Sequence, residues 1–140
     1  MSTRLPPTNP LVAVINNDPQ LINMLVTWFE THDLRVVCAS LSDFRRGHED
    51  VEAFIDKHRP KVIVFDVGMP YQPNWDFLCV LRLLPEIARV PIIATTGNKR
   101  ALEAKVGATD AHEIVGNPDD LNELTGAVRA AGSAALDLLT

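Results

Sequence analysis

Short apolar runs of strand length alternate along this chain with segments of helical period, and the alternation repeats five times. Leu11–Ile15 is continuous and apolar, as a strand buried on both faces must be. Asn17-Asp18-Pro19 then reads as a helix start, with Asp18 as N-cap and Pro19 in the first helical position. Leu21, Ile22, Leu25, Val26 and Phe29 follow at spacings of three and four and build one apolar face. Arg35–Ala39 is the second strand. A helix capped by Ser42 or Asp43 follows, with Phe44, Val51, Phe54 and Ile55 on its apolar side, and Pro60 ends it. Lys61–Asp66 is the third and clearest strand. Residues 67–74, VGMPYQPN, hold two prolines and a glycine and predict an irregular segment. Trp75, Phe77, Leu78, Leu81 and Leu84 make a third helix, Pro91–Thr95 a fourth strand and Lys99–Val106 a short polar helix. His112–Val115 gives the fifth strand, and Pro118-Asp119-Asp120 opens the last helix.

Strands joined by helical crossovers force a parallel sheet with helices on both faces, so the pattern predicts an α/β, doubly wound (βα)5 domain. It spans residues 10–131, after a flexible lead at 1–9 and before a helix extension or linker stub at 132–140. Gly132-Ser133 is a place where the last helix could break. In such sheets the working crevice lies beyond the carboxyl ends of the strands, at the topological switch point. That rule gathers Asn16–Asp18, Asp66–Met69, Thr95–Gly97 and Gly116–Pro118 into one pocket.

Composition enters as a set of exclusions. With 46% hydrophobic and 22% charged residues the chain is ordinary globular material, and 140 residues suffice for one core. Its longest apolar runs are too short to cross a bilayer, and Met1–Pro10 carries no signal-peptide segment, so a cytoplasmic location is the default. A net charge of -5 speaks against a nucleic-acid surface. Arg45-Arg46 and His48, followed by Glu49, Asp50 and Glu52, read as a solvated helix face. Cys38 and Cys79 stand apart in apolar surroundings and are expected to be buried free thiols. There is no Gly-x-Gly-x-x-Gly after the first strand, no Gly-Lys-Ser/Thr, and no Ser/His/Asp or Cys/His set on a recognisable turn. A small enzyme or nucleotide-binding domain on this fold is therefore a remote reading.

Four segments at the strand ends resemble the receiver domains of bacterial two-component signalling. VINNDPQL is similar to that family's first strand and acidic turn. VIVFDVGMP is similar to its third strand with the phosphoacceptor aspartate and Asp-x-x-Met-Pro turn. PIIATTGN resembles its fourth strand ending in a hydroxyl residue, and VGATDAHEIVGNPDDL its fifth strand and Lys-Pro corner. The resemblance implies a flavodoxin-like fold and a phosphorelay role. It implies Asp66 as phosphoacceptor, Thr96 as switch hydroxyl (Thr95 is the adjacent alternative) and Gly68 as a backbone carbonyl ligand to magnesium. The chemistry asks for these groups: a carboxylate attacks phosphorus only when a divalent cation neutralises the surrounding oxygens.

The sequence departs from that pattern where charge matters. The acidic pair falls on Asn16 and Asn17, counted back from Pro19, so the metal set implied is Asn17, Asp66 and Gly68, with Asn16 and Asp18 as further candidates. Asp18 is better explained as an N-cap than as a ligand. The strand-five lysine falls on Asn117, and the aromatic switch position on Ile114. His112 is the nearest titratable side chain and reads as a packed or surface histidine. Unit charges ~4 Å apart interact by about 4 kcal/mol at an effective dielectric of ~20, so two lost carboxylates remove much of the pull on a cation. The expectation is weak magnesium binding, or none, and slow or absent phosphorylation.

Two functional readings remain open. One is a phosphorylation-controlled receiver that tolerates these changes, with no catalysis beyond its own phosphorylation and dephosphorylation at Asp66. The other is a pseudo-receiver, a protein–protein interaction module that keeps the fold without the chemistry. By the resemblance, the partners would be a histidine kinase or an output protein. Contact, including a homodimer, would use the face of the fourth helix, fifth strand and fifth helix. Neither nucleic acid nor membrane is expected. Met69, Tyr71 and Trp75 suggest an apolar patch beside the site, with core packing the alternative for Trp75.

Overall fold

The structure, a computed structural model, describes residues 8–114 and 118–139. Five parallel strands stand in the order β2-β1-β3-β4-β5, with β1 Leu11–Ile15, β2 Arg35–Ala39, β3 Val62–Asp66, β4 Ile92–Thr96 and β5 His112–Glu113. The order reverses between β1 and β3, so the switch point of the doubly wound sheet falls at these two strands. This is the predicted architecture. Val115, expected in the last strand, lies outside the described residues.

Alternation along the strands sorts the core into two layers. Val12, Val14, Val62 and Val64 face one side, where they meet Leu25 and Phe29 of α1 (Pro19–Thr31) and Leu121, Leu124 and Val128 of α6 (Pro118–Leu139). Ala13, Ile15, Ile63 and Phe65 face the other side. They pack on Phe44 of α2 (Leu41–Arg45), Phe54 and Ile55 of α3 (Val51–His58), Leu78 and Leu81 of α4 (Tyr71–Leu81) and Leu102 of α5 (Lys99–Val106). Strands buried on both faces are why the sequence reads as continuous apolar runs there.

Several local expectations are met. Asp18 caps α1, accepting from the Gln20 and Leu21 amides, and Pro19 occupies the first turn, where its missing N–H costs nothing. Others are revised. The helix expected from Ser42 or Asp43 through Ile55 is two helices. Gly47, at φ 75, ends the first in a conformation most residues resist, Ser40 caps α2, and Asp50 restarts the chain as N-cap of α3. Residues 71–74, expected to be irregular, form the first turn of α4. Pro73 fits there because early helical amides have no carbonyl partner in any case. The last helix runs unbroken through Gly132 and Ser133 to Leu139. Cys38 and Cys79 are free, as expected, but both are exposed. Cys38 lies on the edge strand β2, and Cys79 on the outer side of α4 beside the buried Leu78.

No helix among the described residues is long and apolar enough to cross a membrane.

Candidate functional site

The carboxyl ends of β1 and β3 open into a cleft of about 590 Å³ lined in part by Asn16, Asn17, Asp18, Asp66, Gly68 and Gly97. Residues named from the sequence therefore do converge: both asparagines, Asp18, Asp66 and Gly68 share one opening. Asn117 lies outside the described residues.

Asp66 is the last residue of β3 and is paired in register with Thr95 on β4. Side chains at matched positions of neighbouring strands point to the same face, so the Thr95 hydroxyl reaches Asp66 and donates to its Oδ1 at 3.0 Å. Thr96 points to the opposite face, fully buried, and its hydroxyl accepts from the Asn98 amide at 3.4 Å. The expectation that Thr96 supplies the hydroxyl at Asp66 is thus corrected. Counting from Pro91 ended one residue too far, and strand alternation decides for Thr95. Burial at the strand end pushes the Asp66 carboxyl up from 3.8 to about 6. The Thr95 hydrogen bond opposes that rise, and the neighbouring Asp18 charge adds to it.

The remaining groups are committed in ways that bear on a cation. Asn16 is 2% exposed, and its Oδ1 accepts the Asp18 amide at 2.8 Å. That contact orients the side chain, so the group left over is Nδ2, a buried donor without a partner among the described residues. Asn17 turns toward the neighbouring loop, where its Oδ1 accepts from the Ser42 amide at 2.7 Å and from the Ser40 hydroxyl at 3.3 Å. The Gly68 carbonyl accepts from Nδ2 of Asn74 at 2.9 Å. Asp18 spends Oδ1 on capping α1. Among the described residues no group of three or more His, Cys, Asp or Glu could hold a metal ion.

Magnesium needs oxygen donors in octahedral array and favours carboxylates. Here one expected ligand presents an N–H2 group, another faces a different loop, and a third already accepts a hydrogen bond. These residues do not fit a magnesium ion.

Two residues of the site were not singled out from the sequence. Asn74 is 2% exposed and links Gly68 to Arg45, whose Nη1 donates to Asn74 Oδ1 at 2.8 Å. A signal existed for Asn74: it stands four residues before Leu78 and seven before Leu81, on the buried face of α4. Arg45, read as part of a solvated face, is exposed but tied across to α4 by this bond. Of the suggested apolar patch, Met69 is 79% exposed, whereas Tyr71 and Trp75 are half-buried against the core. His112 is half-buried at the sheet edge, with Nδ1 3.5 Å from Glu123 of α6. Ile114, at the position without an aromatic hydroxyl, is buried in the core.

The fold and its strand order are those of receiver domains. Among solved structures, the chain is similar to the chemotaxis response regulator CheY4 of Vibrio cholerae, at 24% identity and a TM-score of 0.62, covering 86% of this chain and 99% of that one. A sensor protein from Polaromonas sp. JS666 gives a TM-score of 0.68 at 16% identity, over 90% of this chain and 98% of that one. The signal receiver domain of a signal transduction histidine kinase from Syntrophus aciditrophicus gives 0.64 at 20% identity, over 89% and 91%. No family model matches the sequence, and no curated protein matches it either.

Proposed function

We propose that this chain is a receiver-type module of two-component signalling that works through protein contacts, with Asp66 at the phosphoacceptor position phosphorylated slowly or not at all. The observation that carries the reading is the set of oxygens around Asp66. Asn16, Asn17 and Gly68 each direct theirs into the protein's own hydrogen bonds. A carboxylate without a neutralised phosphoryl donor is a poor nucleophile toward phosphorus. A carboxyl raised to about 6 is also less fully ionised near neutrality than an exposed one. Partners are proteins, a histidine kinase or an output protein. The docking face is α5, β5 and α6, where a second copy could also bind, and the setting is the cytoplasm.

A phosphorylation-controlled receiver is the second reading, favoured by the Thr95–Asp66 pairing, which places a hydroxyl beside the carboxylate. Magnesium titration with a small phosphodonor such as acetyl phosphate separates the two. The wild type should show no saturable magnesium response and no fast modification of Asp66, while Asn16→Asp with Asn17→Asp should gain a magnesium-dependent rise in Tm. Tight magnesium binding with rapid Asp66 modification in the wild type would overturn the proposal.

A further inference from the structure

At the opposite end of the sheet from Asp66, below the amino ends of β1, β2 and β3, lies a cavity of about 840 Å³. Its floor is apolar: Leu11, Val12, Leu34, Val62 and Val128 belong to or adjoin the core layer under α1 and α6. Its rim is basic, with Arg35, Arg59, Lys61 and Arg129 set against a single carboxylate, Asp33. In a chain of net charge -5 this concentration runs against the average.

Among the described residues, most of these basic groups have no carboxylate partner. Arg35 donates Nε to the Asn9 carbonyl at 2.9 Å, a bond that fixes the guanidinium plane and leaves its terminal nitrogens unengaged among the described residues. Arg129 is held by the His32 carbonyl, and neither it nor Arg35 or Lys61 pairs with a carboxylate among the described residues. Arg59 alone of the four has an ion pair among the described residues, an exposed one with Asp56 of α3, the helix it caps. Gly132 lines the cavity, and a Cβ there would meet Val62 Cγ2 at 3.6 Å, an ordinary contact distance. A glycine inside a helix costs about 1 kcal/mol relative to alanine, so its place beside the cavity carries a stability penalty.

We propose that this cavity is a binding site for a phosphorylated small molecule with an apolar or planar body, separate from the Asp66 cleft. Guanidinium groups fixed by backbone carbonyls match phosphate oxygens in geometry as well as charge. The volume lies within the range of small-ligand sites, and an apolar floor with a few polar groups is their usual construction. His32, stacked on Trp28 with ring centroids 4.4 Å apart, offers a planar wall at one side.

The test is a titration of the full chain followed by amide NMR, with pyrophosphate and ADP as probes at low ionic strength. Saturable shifts are expected at Leu34, Arg35, Val62 and Gly132, with none at Asp66 or Gly97, and ADP should bind more tightly than pyrophosphate because it also covers the floor. Arg35→Ala with Lys61→Ala should weaken ADP by about tenfold or more. Gly132→Leu, which plugs the cavity while favouring the helix, should abolish the shifts in a protein whose spectrum remains dispersed. Absence of saturable shifts, shifts confined to the Asp66 cleft, or affinity unchanged in both variants would overturn the proposal.

Discussion

Asp66 sits where a strand ends and a cleft begins, so its carboxyl is partly removed from water while the nearest compensating group is one neutral hydroxyl. Its carboxyl titrates near 6 when folded, against 3.8 for the unfolded chain. Between those values the folded protein holds a proton that the unfolded chain releases, so stability falls as pH rises through this window. Below it both states are protonated and the penalty disappears. Asp66→Asn removes the ionisation, and at pH above the window it should raise the unfolding free energy by up to about 3 kcal/mol, from two pKa units at about 1.4 kcal/mol each. Denaturant midpoints of both proteins across the acid range check this. A gain that persists undiminished at the acid end would show that the charge is not its source. The two threonines separate by the same logic. Thr95→Val deletes the bond that favours the ionised form and should push Asp66 higher still, while Thr96→Val, whose hydroxyl serves the Asn98 amide, should leave the Asp66 titration unmoved in carboxyl-carbon NMR.

At the scale of elements, a part-buried polar link joins α1 and α6 within a largely apolar layer. The Trp28 indole donates to the Thr125 hydroxyl at 2.7 Å, and that hydroxyl donates to the Leu121 carbonyl at 2.7 Å. Thr125→Val keeps the volume but leaves the indole N–H without its acceptor. The expected loss is about 1–3 kcal/mol in chemical denaturation, with the spectrum of a folded protein retained. A loss near zero would mean that water reaches the indole. Elements also show what the sequence could and could not disclose. The strand Leu11–Ile15 was readable to the residue because both faces of a central parallel strand demand apolar side chains. The split of α2 from α3 was not, since Phe44 and Phe54 keep helical company with one cluster while the break rests on one backbone angle at Gly47. Asp66 was marked by the resemblance of VIVFDVGMP and three further strand-end segments to the receiver pattern. The choice of Thr95 over Thr96 depended on β3–β4 register, and the turn of Asn17 toward Ser42 on a loop contact 25 residues away, neither of which a linear pattern encodes.

Across the whole molecule, the sheet carries two chemically opposed ends, an acid-bearing cleft above and a basic cavity below, and α6 is long enough to pass both. Its 22 residues extend roughly 33 Å at 1.5 Å per residue, whereas a five-residue strand extends roughly 17 Å at 3.3 Å per residue. The described apolar anchors of α6, Leu121, Leu124 and Val128, all fall in its first half, against β1, β3 and α1. Gly132 and Ser133 still line the lower cavity together with Val62. The described contacts of α6 with the core and the lower cavity run as far as Ser133. Ending the chain after Ser133 should therefore lower the free energy of unfolding by less than about 1 kcal/mol and Tm by no more than about 4 °C. Ending it after Ala127 removes Val128 and the floor it provides and should cost several times as much, about 3 kcal/mol or more. Thermal denaturation of the two truncations checks the contrast. Equal losses from both would mean that residues 134–140 hold the domain together, and that the domain does not close at the sheet.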